Sequence, residues 1–256
     1  MILPSMTCKE MYDNLAKDLK KVQIKEGYLQ PKAVREFKKE KRFPAWRWYE
    51  YTIPATNNKY IIFFYAESRF VVEKPKVNYF SIVFDRGKRY VLKWVAGAYK
   101  HTDDNSTKLI RQVHAYTSHF LERYNERFFK DESLTINDVA CRYFSRNGEI
   151  TPIKMNKNIN KHLEKYGDDV QWGYRVRDGF CFAKHLIEGK SDENGNSSKD
   201  EVAAILVMFA TFMNESDLKD TQLTAINKEY DATWLRYTKT IQEESIDWST
   251  TLELDP

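Results

Sequence analysis

The sequence has few of the features that mark disulfide-bonded, zinc-binding or membrane-spanning proteins. Its three cysteines, Cys8, Cys141 and Cys181, are an odd number, lie far apart and include no C-x-x-C pair. They therefore argue against a disulfide framework and predict reduced thiols in the cytoplasm. No apolar run approaches the roughly 20 residues of a membrane-spanning helix. Lys9 and Glu10 interrupt the apolar start that a signal peptide would need.

The motifs of several large enzyme classes are also missing. The nine glycines form neither G-x-G-x-x-G nor a Walker loop, so the usual fingerprints of dinucleotide and nucleoside triphosphate binding are excluded. Neither G-x-S-x-G nor H-E-x-x-H occurs. We therefore expect neither a metal nor an organic cofactor.

What remains is the composition of a folded protein that is rich in aromatic residues. Hydrophobic residues make up 42%, aromatic residues 14% and charged residues 30% of 256 positions, enough to bury a substantial core. The net charge of +4 is unevenly spread. Residues 1–48 hold twelve basic and six acidic side chains, whereas residues 240–256 hold five acidic and no basic ones. This mild basic excess permits a nucleic-acid partner without requiring one.

Apolar periodicity and turn residues predict an α+β fold, with N-terminal helices and an antiparallel β-meander, then helices packed on a second antiparallel sheet. Helices are expected at residues 8–22, 31–41, 118–130, 135–145 and 156–165, and from 214 or 216 to 237. Strands are expected at residues 46–53, 59–66, 77–84, 89–96, 108–114, 170–176, 180–187 and 202–212. Asp178-Gly179 is a strong hairpin signal, and a polar loop is expected at 189–200.

The polar stretch at 102–107 suggests a boundary between two structural units. We therefore expect an N-terminal helical and β-meander region at residues 1–105 and a second α+β domain at 106–238. The acidic residues 239–256 are expected to form a flexible tail.

The predicted helix at 118–130 carries the clearest chemical pattern. At about 100° per residue, His119, Arg123 and Arg127 fall on adjoining turns of one polar face, while Phe120 and Tyr124 lie on an apolar face. A histidine can exchange a proton near neutral pH, and arginines can bind phosphate oxygens in pairs. The polar face therefore has the groups needed to act on a phosphodiester. Charges at this spacing are also common on an ordinary solvated helix.

This stretch resembles a group of small bacterial domains that carry S-x-H-A-x-x-R-M-x-E-R followed by I-[ST]-x-x-[DE]-V. Here the residues are His119-Phe120-x-x-Arg123-Tyr124-x-Glu126-Arg127, followed by Leu134-Thr135-x-x-Asp138-Val139. Those domains are similar to the barnase/EndoU/colicin/RelE superfamily of metal-independent RNases, many of which are toxins or phage-linked effectors. The resemblance covers about residues 114–215, with phenylalanine and tyrosine where the group usually has alanine and methionine.

The resemblance implies an RNase-like, toxin-like effector of bacterial mobile-element type, a hydrolase that needs no metal or cofactor. His119 would be the general acid or base, and Arg123 and Arg127 would bind the phosphate. Thr211 would hydrogen-bond the site, since a threonine near the end of a late strand is usual in the family. RNA would be the partner, and a protein partner or inhibitor stays open.

The alternative is a non-catalytic module of the same fold that binds nucleic acid or a protein. A catalytic site requires His119, Arg123 and Arg127 to converge in a cleft with Thr211 or another polar strand residue. A structural role would instead leave the two arginines paired with the protein's own carboxylates.

Basic and aromatic residues also alternate at Trp46-Arg47-Trp48-Tyr49 and Lys93-Trp94. Such surfaces can stack nucleobases. In a strand at 46–53 the same alternation also fits one core face and one solvent face. His114 does not share a helical face with His119, so it is interpreted as structural.

Overall fold

The structure is a computed structural model that describes residues 1–100, 107–153, 172–191 and 197–244. The helices are α1 Cys8–Lys38, α2 Ser118–Tyr124, α3 Ile136–Arg146 and α4 Asp220–Glu244. The strands are β1 Ala45–Thr52, β2 Lys59–Ala66, β3 Lys76–Asp85, β4 Lys88–Lys100, β5 Thr107–Thr117, β6 Thr151–Ile153, β7 Trp172–Val176, β8 Gly179–Ser191 and β9 Ser197–Met213. The predicted α+β class is confirmed.

A single long helix, α1, replaces the two helices predicted at 8–22 and 31–41. Thr7 and Glu10 form a capping box, in which the Thr7 hydroxyl accepts from the Glu10 N–H at 3.2 Å and the Glu10 carboxylate accepts from the Thr7 N–H at 2.8 Å. The helix continues through Pro31 to Lys38. Proline costs one helical hydrogen bond, but buried side chains on both sides of it, Val22 and Phe37, belong to one core. Packing of this apolar stripe therefore outweighs the break.

The nine strands form one sheet, in the order β1-β2-β3-β4-β5-β9-β8-β7-β6. Neighbouring strands are antiparallel except β5 and β9, which pair in parallel from Arg111–Ala204 to Tyr116–Phe209. The second sheet predicted from the sequence is thus the continuation of the first. The boundary predicted at 105/106 lies outside the described residues, between the strands β4 and β5, which pair with each other.

Helices cover both faces of this sheet. Helices α2 and α3 pack on one face, whose core is rich in aromatic side chains: Phe63, Phe80, Tyr116, Phe120, Tyr124, Tyr143, Phe144, Phe209 and Phe212. Helix α1 packs on the other face. Helix α4 packs on Phe180 and Phe182, and these alternate with Cys181 and Ala183 of the aromatic core. Alternation therefore places α4 on the same face as α1.

The helix predicted at 118–130 changes its hydrogen-bonding pattern after Tyr124. Thr117 caps α2 by accepting from the Phe120 N–H at 3.0 Å. The next five residues, Asn125–Phe129, form a π turn, and Lys130 ends it with left-handed backbone angles. Because a π turn holds more residues than an α turn, it moves Arg127 away from the position expected on a uniform helix.

Three other expectations concern the C-terminal part of the chain. The helix predicted at 156–165 lies outside the described residues, as do residues 245–256 of the predicted tail. The backbone of residues 239–244 belongs to α4, and β8 and β9 extend into the loop predicted at 189–200. Among the described helices, none has the length and apolar character to cross a membrane.

Candidate functional site

The two arginines predicted to bind phosphate contact the protein's own carboxylates. Arg123 donates to Glu126 Oε2 at 2.7 Å on the surface of α2. Arg127 Nε lies 3.3 Å from Asp217 Oδ2, and its Nη1 donates to the backbone carbonyl of Phe212. This arrangement is the one that a structural role for both arginines predicts.

The other two predicted site residues, His119 and Thr211, are on different faces of the sheet. His119 is exposed on α2. Phe212 faces α2, since its ring centre lies 4.8 Å from that of Tyr124. The adjacent Thr211 therefore points to the opposite face, where its strand partner Phe182 belongs to the core beneath α4. The structure does not bring the four residues together.

The apolar face of α2 determines how this helix packs. Phe120 and Tyr124 are fully buried. Their ring centres lie 5.2 Å and 4.9 Å from that of Tyr143 in α3. The positions that depart from the alanine and methionine of the small bacterial domains are thus the anchors of the helix. Burying a large aromatic side chain contributes about 1.5–3 kcal/mol, so the polar face is left toward solvent.

A buried carboxylate, Asp178, gathers four donors at the turn between β7 and β8. It accepts from Tyr124 Oη at 2.6 Å, from Arg146 Nε and Nη2 at 2.8 Å and 2.7 Å, and from Asn147 Nδ2 at 3.0 Å. Burial alone would raise the pKa of Asp178, but the hydrogen bonds from Arg146 and Tyr124 outweigh it and hold the pKa below its ordinary value. The network fixes the orientation of the Arg146 guanidinium.

Arg146 also lines a half-open cleft of about 740 Å³. The end of α3, the edge strand β6, the end of β7 and the middle of α4 surround it. Its charged lining consists of three arginines and two carboxylates: Arg146, Arg175, Arg177, Glu149 and Asp231. We call this feature the arginine cleft.

Two of these arginines have donor groups without an acceptor. Arg175 donates through Nη2 to Glu215, but its Nη1 is buried without a hydrogen-bond partner in the described part of the chain. Arg177 is exposed and forms no ion pair or hydrogen bond with the described residues. A buried N–H group without an acceptor is costly, which applies to Arg175 Nη1, whereas the exposed Arg177 guanidinium is open to an anion in the cleft.

The chemistry of the cleft suits a ligand that carries both phosphate and hydroxyl groups. The guanidinium fork matches two phosphate oxygens. Glu149 and Asp231 can accept hydrogen bonds from hydroxyl or amino groups. Within the described residues no three His, Cys, Asp or Glu side chains are grouped as metal ligands.

Comparison of this chain with known proteins gives no match. No family model matches it, and no curated protein or solved structure does either.

No sequence pattern predicts this cleft as a whole. Arg146, Arg175 and Asp231 lie far apart in the chain and follow no spacing pattern. The one local signal is the segment Arg175-x-Arg177-Asp178-Gly179, whose Asp178-Gly179 pair predicts only a hairpin. Arg175 and Arg177 are separated by one residue beside the turn. Their side chains can therefore contribute to the same polar site.

Proposed function

We propose that this protein binds RNA in the arginine cleft, as a module that needs no metal. The observation that supports it best is the convergence of Arg146, Arg175 and Arg177 on one cleft, with unpartnered donors on two of them. RNA offers phosphates to these arginines and 2′-hydroxyls to Glu149 and Asp231.

The three arginines have different parts in this proposal. Asp178 and the ring of Phe128, which lies 4.6 Å from the Arg146 guanidinium, orient Arg146. Its bidentate bond uses Nε and Nη2, so Nη1 can reach a phosphate. Arg146 and Arg175 each form an ion pair with a carboxylate, whereas Arg177 forms none with a described residue. Arg177 should therefore contribute most to the electrostatic attraction.

Binding can be measured as the fluorescence anisotropy of a labelled single-stranded RNA of mixed sequence, over a series of salt concentrations. Three phosphate contacts predict a slope of log affinity against log salt of about −2. The variant Arg177→Ala should weaken binding and reduce that slope by about 0.7.

The matched control is Arg123→Ala, which removes an exposed arginine outside the cleft. It should leave both affinity and slope unchanged. If Arg123→Ala weakens binding and Arg177→Ala does not, the polar face of α2 is the binding surface and the cleft assignment is wrong.

Cleavage of RNA is a second candidate, supported by the position of Glu149. This exposed carboxylate lies in the same cleft and has no partner in the described structure. It could take the proton of a 2′-hydroxyl while the arginines stabilise the phosphate. The 2′-oxygen would bond to phosphorus, the bond to the 5′-oxygen would break, and that oxygen would take a proton.

Incubation of labelled RNA with the protein in EDTA tests this reaction. Products with 2′,3′-cyclic phosphate ends that disappear with Glu149→Gln would assign catalysis to the cleft. Loss of cleavage with His119→Ala alone would support the histidine predicted from the sequence. RNA that binds to the protein but stays intact would support the non-catalytic binding module.

A further inference from the structure

Arg142, an arginine of α3 one helical turn before Arg146, has a guanidinium without an acceptor. Residues four apart lie side by side on a helix, with about 5–6 Å between their Cβ atoms. Arg142 forms no hydrogen bond or ion pair with the described residues. The side chain is partly buried, but none of its nitrogens is among the buried atoms that lack a partner there. Its N–H groups therefore reach solvent and are open to an acceptor from a ligand.

Two aromatic rings hold this guanidinium in place. Its central carbon lies 4.8 Å from the ring centre of Trp46 in β1 and 5.6 Å from that of Phe129 at the end of the π turn. The Trp46 ring is itself held, because its Nε1 donates to Ser145 Oγ at 2.9 Å. Arginine can stack on aromatic faces while its N–H groups stay available. Arg142 is therefore oriented before a ligand binds.

The π turn connects Arg142 to the arginine cleft. Phe128 and Phe129 are the last two residues of the turn, and their ring centres lie 5.2 Å apart. Phe128 lies 4.6 Å from the Arg146 guanidinium, and Phe129 contacts Arg142. Because Arg146 lines the cleft, arginines and rings follow one another from the cleft to Trp46. We call this set the α3 row: Arg146, Phe128, Phe129, Arg142 and Trp46.

The carboxylates nearest to the α3 row accept hydrogen bonds from other donors. Asp131 accepts from the Ser133 hydroxyl at 2.6 Å and from the Ser133 N–H at 3.0 Å. These hydrogen bonds, and after them the charge of Arg142, hold the pKa of Asp131 below its ordinary value. Asp138 accepts from Trp48 Nε1 at 2.9 Å and caps α3. Neither carboxylate forms an ion pair with Arg142, so its charge stays available to an anion.

The α3 row also gives a role to part of the segment Trp46-Arg47-Trp48-Tyr49. Arg47 forms ion pairs with Glu36 at 3.2 Å and with Glu40 at 2.5 Å. The Trp48 indole is bonded to Asp138. Of the basic and aromatic side chains in this segment, Trp46 is therefore the one that serves the row.

We infer that single-stranded RNA held in the arginine cleft continues along the α3 row and places a further phosphate on Arg142. The inference rests on the proposed function of the cleft. Cations and aromatic side chains alternate along the row, as they do on surfaces that follow a single strand. The N–H groups of Arg142 bind the phosphate oxygens, while the two rings hold the guanidinium.

Two labelled oligouridylates, of about four and about twelve nucleotides, separate the row from the cleft. The short RNA can occupy the cleft alone, whereas the long RNA can also reach Arg142. Fluorescence anisotropy over a series of salt concentrations should give a steeper slope of log affinity against log salt for the long RNA. The expected difference is about 0.7, for one added phosphate contact.

The variant Arg142→Met removes the guanidinium and keeps an apolar side chain against the rings. It should weaken binding of the long RNA about fivefold and remove the added slope. Binding of the short RNA should be unchanged. Equal loss of affinity for the two RNAs would contradict a contact beyond the cleft and overturn the inference.

The variant Arg142→Lys tests the part played by the rings. Lysine keeps the charge but lacks the planar fork that stacks on aromatic faces. The salt slope for the long RNA should stay as in the wild type, while its affinity falls about threefold. Wild-type affinity in this variant would overturn the role assigned to Trp46 and Phe129.

The matched control is Arg69→Met, which removes an exposed arginine between β2 and β3 that forms no ion pair with the described residues. It should leave the binding of both RNAs unchanged. A loss equal to that of Arg142→Met would reduce the effect to net charge and overturn the assignment. Urea unfolding checks that each variant is folded before titration.

Arg177→Ala separates a failure of this inference from a failure of the proposed function. If Arg177→Ala weakens binding of both RNAs and Arg142→Met weakens neither, the cleft assignment stands and the path along α3 is wrong. If Arg177→Ala weakens neither, the cleft assignment fails and this inference fails with it.

Discussion

The carboxylates of Asp18 and Asp178 both lie out of solvent, but they are held in different ways. Asp18 is fully buried between α1 and β2, and its hydrogen bonds come from neutral groups: Asn58 Nδ2 at 2.5 Å, Tyr60 Oη at 3.0 Å and the Thr56 hydroxyl. Asp178, beside the β7–β8 turn, has a bidentate arginine among its donors.

The comparison distinguishes a hydrogen-bond network that only holds the fold together from one that also orients a residue of the arginine cleft. The neutral donors around Asp18 fasten the first helix to the sheet, and none of them lines the arginine cleft. The charged partner of Asp178, Arg146, lines the arginine cleft. Changes in the Asp178 region should therefore alter stability and ligand binding together, whereas changes in the Asp18 region should alter stability alone.

The largest effect is expected from Gly179→Ala, at the turn beside Asp178. A Cβ at this position would overlap the carbonyl oxygen of Met213 and approach the Phe212 ring to 2.8 Å, and the backbone φ of +157° disfavours other residues. We expect a loss of about 3–5 kcal/mol in the free energy of unfolding, measured by urea denaturation.

Gly148→Ala is the matched control for that substitution. A Cβ at Gly148 has no atom within 4 Å, so stability should change by no more than about 0.5 kcal/mol. Equal destabilisation by the two substitutions would contradict the close approach of β8 to β9 at Gly179.

The next effect compares Asp18→Asn with Asp178→Asn. Each substitution replaces a carboxylate oxygen, which accepts hydrogen bonds, with an NH2 group that faces the existing donors. Each should therefore lower the free energy of unfolding by about 2–3 kcal/mol. Asp178→Asn should also weaken RNA binding, because Arg146 loses its fixed orientation. Fluorescence anisotropy of the labelled RNA, measured under conditions in which the variant stays folded, tests this loss of binding. If Asp18→Asn weakens RNA binding as much, the two regions are not separate in function.

The smallest effect per step of the measurement, that of one pH unit, concerns the pH dependence of stability and the buried His114 in β5, where the two halves of the sheet meet. Its folded-state pKa of about 3 lies below the unfolded value of about 6.5. The stability that this neutral ring contributes is complete above pH 6.5 and is lost as the pH falls toward 3. The slope for one group is about 1.4 kcal/mol per pH unit.

Urea unfolding at several pH values should show this slope reduced in His114→Phe. His185→Phe should remove a smaller share, because burial lowers the pKa of that half-buried ring only to about 4. An unchanged slope in His114→Phe would show that another group carries the acid sensitivity.

Much of the secondary structure could be predicted because its signals are local. The capping box at Thr7 and Glu10 fixes a helix start through hydrogen bonds between residues three apart. The Asp178-Gly179 pair marks a turn that does connect two antiparallel strands. The apolar face of α2 was also predicted, since Phe120 and Tyr124 are separated by about one helical turn.

The polar face of that helix shows where such patterns stop being informative. His119, Arg123 and Arg127 are spaced for one face of a uniform α-helix, but the π turn after Tyr124 changes the geometry. The carboxylate that contacts Arg127, Asp217, comes from a distant part of the chain. Spacing alone cannot show which carboxylate reaches an arginine, so the role of His119 stays a prediction for the EDTA experiment.

By itself the sequence determined the α+β class, most of the helices and strands and the apolar faces, because these depend on periodicity and on contacts within a few residues. The tertiary structure decided that β5 pairs in parallel with β9, so that two predicted sheets became one. It also decided that Arg146, Arg175 and Arg177 share a cleft and that Trp46 and Phe129 meet at Arg142. These features arise from pairing between distant segments, and no local pattern encodes which distant strand or carboxylate a residue will meet.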